Sequence, residues 1–147
     1  MKKAVLAIVM FLYAIVAKAQ MQNPVKWAYA AKRISATEAV VLLRATIDNG
    51  WHIYSQKSSG ALKTSFVFNP AKEYTLVGKT MEPKPIVKFE PAIKASLSYF
   101  ENSVVFQQKI KLRSANAKTV TGKLEYMACK TQCLPPEEVE FTIPIGK

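Results

Sequence analysis

Short runs in which apolar and polar side chains alternate recur along this chain, and they constrain its fold more than any other feature. Residues 25–29 and 104–112 follow this period of two, which is the pattern of a strand with one buried face. The run 38–47 is rich in β-branched residues and leads into Asp48-Asn49-Gly50, a strong turn signal, and then into a strand at 51–55. Further strands are expected over 65–69, 74–78, 119–128 and 137–144.

These seven or eight short strands come with turn signals every ~8–12 residues and without a clear helical period. Residues 81–94 contain Pro83, Pro85 and Pro91, so we expect this segment to be irregular. The pattern predicts a single all-β domain, an antiparallel β-sandwich. A partly open barrel is the competing architecture.

The first twenty residues have the composition of a secretory signal peptide. Lys2 and Lys3 precede an apolar run from Ala4 to Ala17, and Ala17-Lys18-Ala19 forms an A-x-A cleavage site. We therefore expect a signal peptide over residues 1–19, cleavage after about Ala19 and a mature domain over 20–147. An uncleaved membrane anchor is the alternative. Export would carry the mature chain out of the cytosol, without stable membrane insertion, into a compartment where disulfides persist.

The chain is strongly basic, with a formal charge of +11. Loss of the leader would leave 18 basic and 10 acidic residues, a charge of +8. The lysines are scattered singly and no aromatic-rich nucleic-acid motif accompanies them, so we expect a solvated basic surface and no nucleic-acid partner.

Cys129 and Cys133 are the only cysteines, and Pro135 and Pro136 follow them closely. The flanking strands would place the pair facing one another across the tip of a hairpin, within the Cα separation that a disulfide needs. The prolines end regular pairing there, at a rim that partners can reach. The residues alone leave three interpretations open: a structural disulfide, a pair that exchanges electrons, or part of a metal site. A metal site would need more ligands, and the one histidine, His52, is distant in sequence.

Four stretches together resemble one known domain. They are GWHIYS at 50–55, YTLVGK at 74–79, YFENSVVFQQKI at 99–110 and YMACKTQCLPPEEVEF at 126–141. The chain resembles, over nearly its whole mature length, the N-terminal periplasmic domain of the thiol:disulfide interchange protein DsbD. The resemblance implies an immunoglobulin-like fold and a cysteine pair that receives electrons and passes them to oxidised exported proteins.

The resemblance also implies roles for individual residues. Cys133 would be the thiol that forms mixed disulfides, and Cys129 the thiol that resolves them. Tyr54, and with it His52, would line the cavity around the pair. The family also shields its cysteines with a cap loop that carries an aromatic residue; here Ile93 falls at the cap position and Phe89 lies just before it.

The resemblance finally indicates what the protein works with. Thioredoxin-like or other periplasmic redox proteins would supply or accept electrons in trans, and neither a cofactor nor a metal is expected. The chain would then be a component of a protein-disulfide reductase type of thiol:disulfide oxidoreductase. The alternative is a non-catalytic immunoglobulin-like binding module with a structural disulfide.

Overall fold

A computed structural model describes residues 23–146 of the chain. The expected signal peptide at 1–19 and its cleavage site lie outside the described residues. Within residues 23–146, no helix is long and apolar enough to cross a membrane.

The described residues form eleven strands and one short 3₁₀ turn at Gly60–Leu62. The strands are β1 (Val25–Arg33), β2 (Glu38–Ile47), β3 (His52–Tyr54), β4 (Ser65–Phe68), β5 (Tyr74–Met81), β6 (Ile86–Glu90), β7 (Ala95–Glu101), β8 (Ser103–Leu112), β9 (Thr119–Tyr126), β10 (Ala128–Cys129) and β11 (Glu137–Pro144).

The strands are arranged in three antiparallel sheets. The first sheet has the order β1-β2-β8-β5, the second β10-β3-β7-β6 and the third β11-β9-β4. They enclose one apolar core, to which strands of all three sheets contribute buried side chains. The predicted all-β, immunoglobulin-like sandwich is confirmed.

The alternating pattern determines which side chains enter this core. In β2, Val41, Leu43 and Ala45 are fully buried, while Arg44 between them is exposed. In β8, Phe106 and Ile110 are likewise fully buried. The two strands pair in register, with Leu43 opposite Phe106, so their apolar faces coincide.

The prediction that residues 81–94 are irregular was wrong for Met81 and for Ile86–Glu90, which lie in strands. Strand β5 extends to Met81, past a bulge between Val77 and Met81, and β6 occupies Ile86–Glu90. Pro83 and Pro85 precede β6 and Pro91 follows it, so the prolines border the strand and do not interrupt it. β6 also lies at a sheet edge, where one side of the strand needs no ladder partner.

The hairpin expected around the cysteines is present, but the cysteines do not sit on its two arms. β9 pairs with β11 from Thr119↔Pro144 to Tyr126↔Glu137. After Tyr126 the chain leaves this sheet, and Ala128 and Cys129 pair with β3 of the second sheet. The switch between sheets brings the cysteines beside His52.

Candidate disulfide site at the end of the second sheet

Cys129 and Cys133 form a disulfide across a very tight loop. Their Cα atoms are 4.0 Å apart, and the two residues also form an isolated antiparallel bridge. The backbone N–H of Lys130 donates to the carbonyl of Gln132 within the loop. The N–H of Leu134 donates to the carbonyl of Ala128 and closes the loop just before the two prolines. Local hydrogen bonds therefore hold the bridge at the end of β10.

The two cysteines differ sharply in exposure. Cys129 is 2% exposed, because β10 pairs with β3 and packs at the edge of the core. Cys133 is exposed, as are Thr131 and Gln132 before it. A partner sulfur approaching from solvent therefore meets Cys133 first.

The bridge stands at one end of a cleft of about 420 Å³. Its floor is one face of the second sheet, as the strand register shows. Cys129 lies opposite His52, and His52 lies opposite Glu101, so these three residues form one row across β10, β3 and β7. In the next row Tyr54 lies opposite Tyr99. Residues between these positions, such as Ile53 and Phe100, face the core.

His52 is the centre of an aromatic cluster beside the bridge. Its ring centroid lies 5.2 Å from that of Tyr54 and 5.0 Å from that of Tyr99. The His52 Nε2 atom and the Tyr54 hydroxyl are hydrogen-bonded at 3.2 Å. The structure therefore brings Cys129, Cys133, His52 and Tyr54 together around one cleft.

Burial shifts the protonation of both aromatic groups towards their neutral forms. It lowers the pKa of His52, with a smaller raising effect from Glu101 and a smaller lowering effect from Lys88. It also raises the pKa of Tyr54, and Tyr99 adds to the rise. The imidazole is consequently neutral and the phenol protonated at neutral pH.

Charged side chains of both signs surround the aromatic cluster. Lys88 and Glu90 of β6 and Glu101 of β7 line the cleft together with Lys130 of the cysteine loop. The Lys130 side chain lies over Gly50, where an added Cβ would stand 3.0 Å from Lys130 Cε. Gly50 has a φ of +80°, which glycine adopts without strain, so this turn leaves room for the lysine.

Phe89 and Ile93 do not line this cleft. Phe89 is 59% exposed and lies between Lys88 and Glu90, so it is on the opposite face of β6. Ile93 is 56% exposed in the turn after β6, where its N–H donates to the carbonyl of Glu90. Their part as cap residues stays a prediction.

Several lining residues were not among the site residues predicted from the sequence. Leu97, Tyr99 and Glu101 occupy every second position of β7, and this alternation was the signal that could have grouped them. Their approach to the cysteines depends on the pairing of β7 with β3, which no local pattern reveals. Within residues 23–146, no group of three or more His, Cys, Asp or Glu is arranged to hold a metal ion.

The fold and the site define an immunoglobulin-like domain that carries a partly exposed disulfide at the end of a polar cleft. The model of the family described as the N-terminal domain of the thiol:disulfide interchange protein DsbD matches residues 19–144. The chain therefore belongs to this family.

Solved structures of similar fold include domains of two bacteria. The DsbD N-terminal domain of Neisseria meningitidis, in complex with the PilB N-terminal domain, has a TM-score of 0.55 at 18% identity, over 84% of this chain and 87% of that one. The reduced form of the Neisseria meningitidis domain has a TM-score of 0.51 at 19% identity, over 79% and 83%. The N-terminal periplasmic domain of ScsB from Proteus mirabilis has a TM-score of 0.57 at 15% identity, over 87% of this chain and 48% of that one. No curated protein matches the sequence at a significant level.

Proposed function

We propose that this domain performs thiol–disulfide exchange in the periplasm through Cys133 and Cys129. It would pass electrons between a thioredoxin-like donor, acting in trans, and oxidised exported proteins. In that role it is a component of a protein-disulfide reductase system. Family membership supports exchange chemistry, and the complex formed by the similar Neisseria meningitidis domain supports a protein partner.

The observation that carries the proposal is the unequal exposure of the two cysteines. Exchange proceeds by attack of a thiolate on one sulfur of a disulfide, through a mixed disulfide that a second thiol resolves. The exposed Cys133 is open to that attack, and the buried Cys129 stays beside it to resolve the intermediate. This arrangement supports the roles implied by the family resemblance.

The size of the loop supports the same conclusion. The bridge joins residues only four positions apart. In the chain-entropy account, closing such a loop stabilises the fold by about 2 kcal/mol, less than a bridge across a long loop would provide. The disulfide therefore adds little stability to the fold and lies in an accessible position.

The reduction potential of the purified domain in glutathione buffers tests the proposal. Exchange with periplasmic proteins requires a potential well above about −300 mV. A lower value would identify the bridge as structural and favour the alternative, a non-catalytic binding module.

Trapping of mixed disulfides tests the separate roles of the cysteines. We expect Cys129→Ala to accumulate a mixed disulfide with an oxidised thioredoxin-like protein, because the resolving thiol is absent. The matched Cys133→Ala variant should accumulate none, since its remaining thiol is buried. Equal trapping by both variants would contradict the role assignment.

Export is part of the proposal and has its own measurement. The intact mass of protein recovered from a periplasmic extract should correspond to a chain that begins at about Gln20. A mass that includes residues 1–19 would instead support the uncleaved anchor.

A further inference from the structure

His52 and Tyr54 have no part in the exchange step as described so far, although both line the same cleft as the disulfide. His52 is the residue directly opposite Cys129 in the strand register, on the same face of the sheet. Directly opposed residues bring their Cβ atoms to ~4.5–5.5 Å, so the imidazole is a close side-chain neighbour of Cys129. Any charge that develops on this buried sulfur develops beside His52.

Exchange requires such a charge. When a partner thiolate attacks Cys133, a bond forms between the partner sulfur and Cys133 Sγ, and the Cys129–Cys133 bond breaks. The bonding electron pair leaves on Cys129 Sγ as a thiolate. Cys129 is 2% exposed, so little water is available to solvate this anion, and a protein donor must replace the water.

The hydrogen bond between His52 and Tyr54 determines which imidazole nitrogen can donate. Among residues 23–146, the Tyr54 hydroxyl has one hydrogen-bond partner, His52 Nε2. A neutral imidazole has one donor and one acceptor nitrogen, and the phenol is a strong donor. If the Tyr54 O–H donates to Nε2, the imidazole proton resides on Nδ1, which has no hydrogen-bond partner in the same part of the chain.

We propose that Tyr54 holds neutral His52 as its Nδ1–H tautomer, and that His52 Nδ1–H donates a hydrogen bond to the Cys129 thiolate released when Cys133 is attacked. His52 acts on the reacting sulfur, and Tyr54 is a positioning residue that acts through His52. This inference rests on the proposed exchange function and names the group that stabilises its leaving thiolate.

The surrounding charges are compatible with a neutral donor. Burial is the largest effect on the pKa of His52 and lowers it; Lys88 from β6 also lowers it, and Glu101, which faces His52 from β7, raises it by less. Tyr99 covers the ring from β7, and Glu90 and Lys130 complete the charged lining of the cleft. The neutral imidazole thus supplies a hydrogen bond without first taking up a proton.

The thiol pKa of Cys129 in a Cys133→Ala background provides the first test. Thiolate absorbance at 240 nm, followed from pH 5 to 11, reports this single thiol. Replacement of His52 by Phe keeps an aromatic ring but removes the donor. We expect this change to raise the Cys129 pKa by about one unit, a tenfold loss of thiolate at a given pH below the pKa.

Two further variants separate hydrogen bonding from simple packing. His52→Gln retains an N–H donor and should recover part of the lowered pKa, whereas Tyr54→Phe should raise it partway because the tautomer is no longer held. Near-ultraviolet circular dichroism shows whether each variant keeps its tertiary packing. An equal Cys129 pKa in the parent and in a folded His52→Phe variant, or equal values in folded His52→Phe and His52→Gln variants, would overturn the proposal.

The tautomer can be measured directly because the chain contains one histidine. In protein prepared without a histidine tag, the ¹⁵N shifts of the imidazole report on His52 alone. We expect the Nδ1–H form in the parent and a shift towards Nε2–H in Tyr54→Phe. An Nε2–H tautomer of His52 in the parent protein would contradict the assignment.

The test of the hydrogen bond and the test of exchange can fail independently. A bridge that resists glutathione, together with a Cys129 pKa that depends on His52, would reject exchange but retain the hydrogen bond. A bridge that exchanges readily, together with a Cys129 pKa indifferent to His52, would reject only the present inference.

Discussion

Cys129 and Cys133 share one bond, yet the structure places one in the edge of the core and the other in solvent. The difference follows from β10, whose two residues pair with β3 and draw Cys129 inward. Cys133 lies beyond that pairing, and Pro135 and Pro136, which follow Leu134, have no N–H to extend it. The sequence spacing allowed an exchange site, a staple or a metal site, and the exposure now favours exchange.

Reduction of the bridge should leave the domain folded. We expect the free energy of unfolding to fall by about 2 kcal/mol or less, because a loop of four positions restricts the unfolded chain only slightly. Urea unfolding with and without a phosphine reductant measures the difference. The Cys129→Ala/Cys133→Ala double variant is a control that should not respond to the reductant. Loss of the native fold on reduction would identify the bridge as a structural requirement.

His52 should make stability depend on pH in one direction. Burial lowers its pKa in the folded state below the ordinary value of 6.5, so the unfolded state binds the proton first as pH falls. The stability is complete above about pH 6.5 and decreases as pH falls through the lower folded-state pKa. Because the ring is only half buried, we expect less than about 1 kcal/mol.

Comparison with His52→Phe isolates this contribution from that of the carboxylates. Urea unfolding at pH 7.5 and 5.0 should show a larger loss at acid pH in the parent than in the variant. Equal losses in both proteins would show that His52 titrates alike in the folded and unfolded states.

At the scale of the strands, local patterns identified the elements whose alternation is long and whose turns are marked. The strands β2, β8, β9 and β11 follow directly from such patterns. β6 did not, because its flanking prolines suggested irregular structure, and a strand at a sheet edge tolerates prolines beside it. β7 and its pairing with β3 were not predicted either, because the register between distant strands depends on the packing of the whole sandwich.

At Gly122 of β9, a neighbouring strand and an aromatic ring approach the backbone closely. The glycine is buried, opposite Phe141 of β11 and Phe68 of β4. An added Cβ would collide with the carbonyl oxygen of Val67 and stand 2.7 Å from Phe141 Cζ. A backbone carbonyl in a ladder cannot yield as a flexible side chain can, so the third sheet would have to shift.

We expect Gly122→Ala to lower the free energy of unfolding by about 3 kcal/mol, as overpacking in a close-packed interior does. Urea unfolding measures the change. Gly146→Ala is the matched control, because no atom lies within 4 Å of the added Cβ there, and we expect about 0.5 kcal/mol or less. Similar values for the two variants would show that β4 and Phe141 adjust at little cost.

Across the whole molecule, Phe106 joins the three sheets. Its ring centroid lies 4.8 Å from that of Phe66 in the third sheet and 5.8 Å from that of Phe100 in the second. Trp27 of β1 lies on the same face of the first sheet as Phe106, with ring centroids 6.1 Å apart. The alternation over residues 104–112 predicted a strand with one buried face, but the contact of Phe106 with three sheets depends on long-range packing. The second sheet, whose outer face forms the cleft, therefore packs on a core that it shares with the other two sheets.

Phe106→Ala should destabilise all three sheets together. Removal of a fully buried phenylalanine costs about 3–5 kcal/mol, through lost transfer free energy and the cavity that remains. Phe89→Ala is the matched control, since the same change at a residue that is 59% exposed should cost about 0.5 kcal/mol or less. Because total stabilities are commonly ~5–15 kcal/mol, Phe106→Ala should remain foldable at low temperature but with little reserve.

Hydrogen exchange gives the spatial readout of this prediction. In Phe106→Ala, slowly exchanging amides of β2, β7 and β9 should all lose protection by a similar factor, because one core supports the three sheets and opens as a unit. In Phe89→Ala their protection should be unchanged. Loss confined to β8 and its neighbours in the first sheet would show that the sheets unfold independently. The cleft and its disulfide could then open without the rest of the domain.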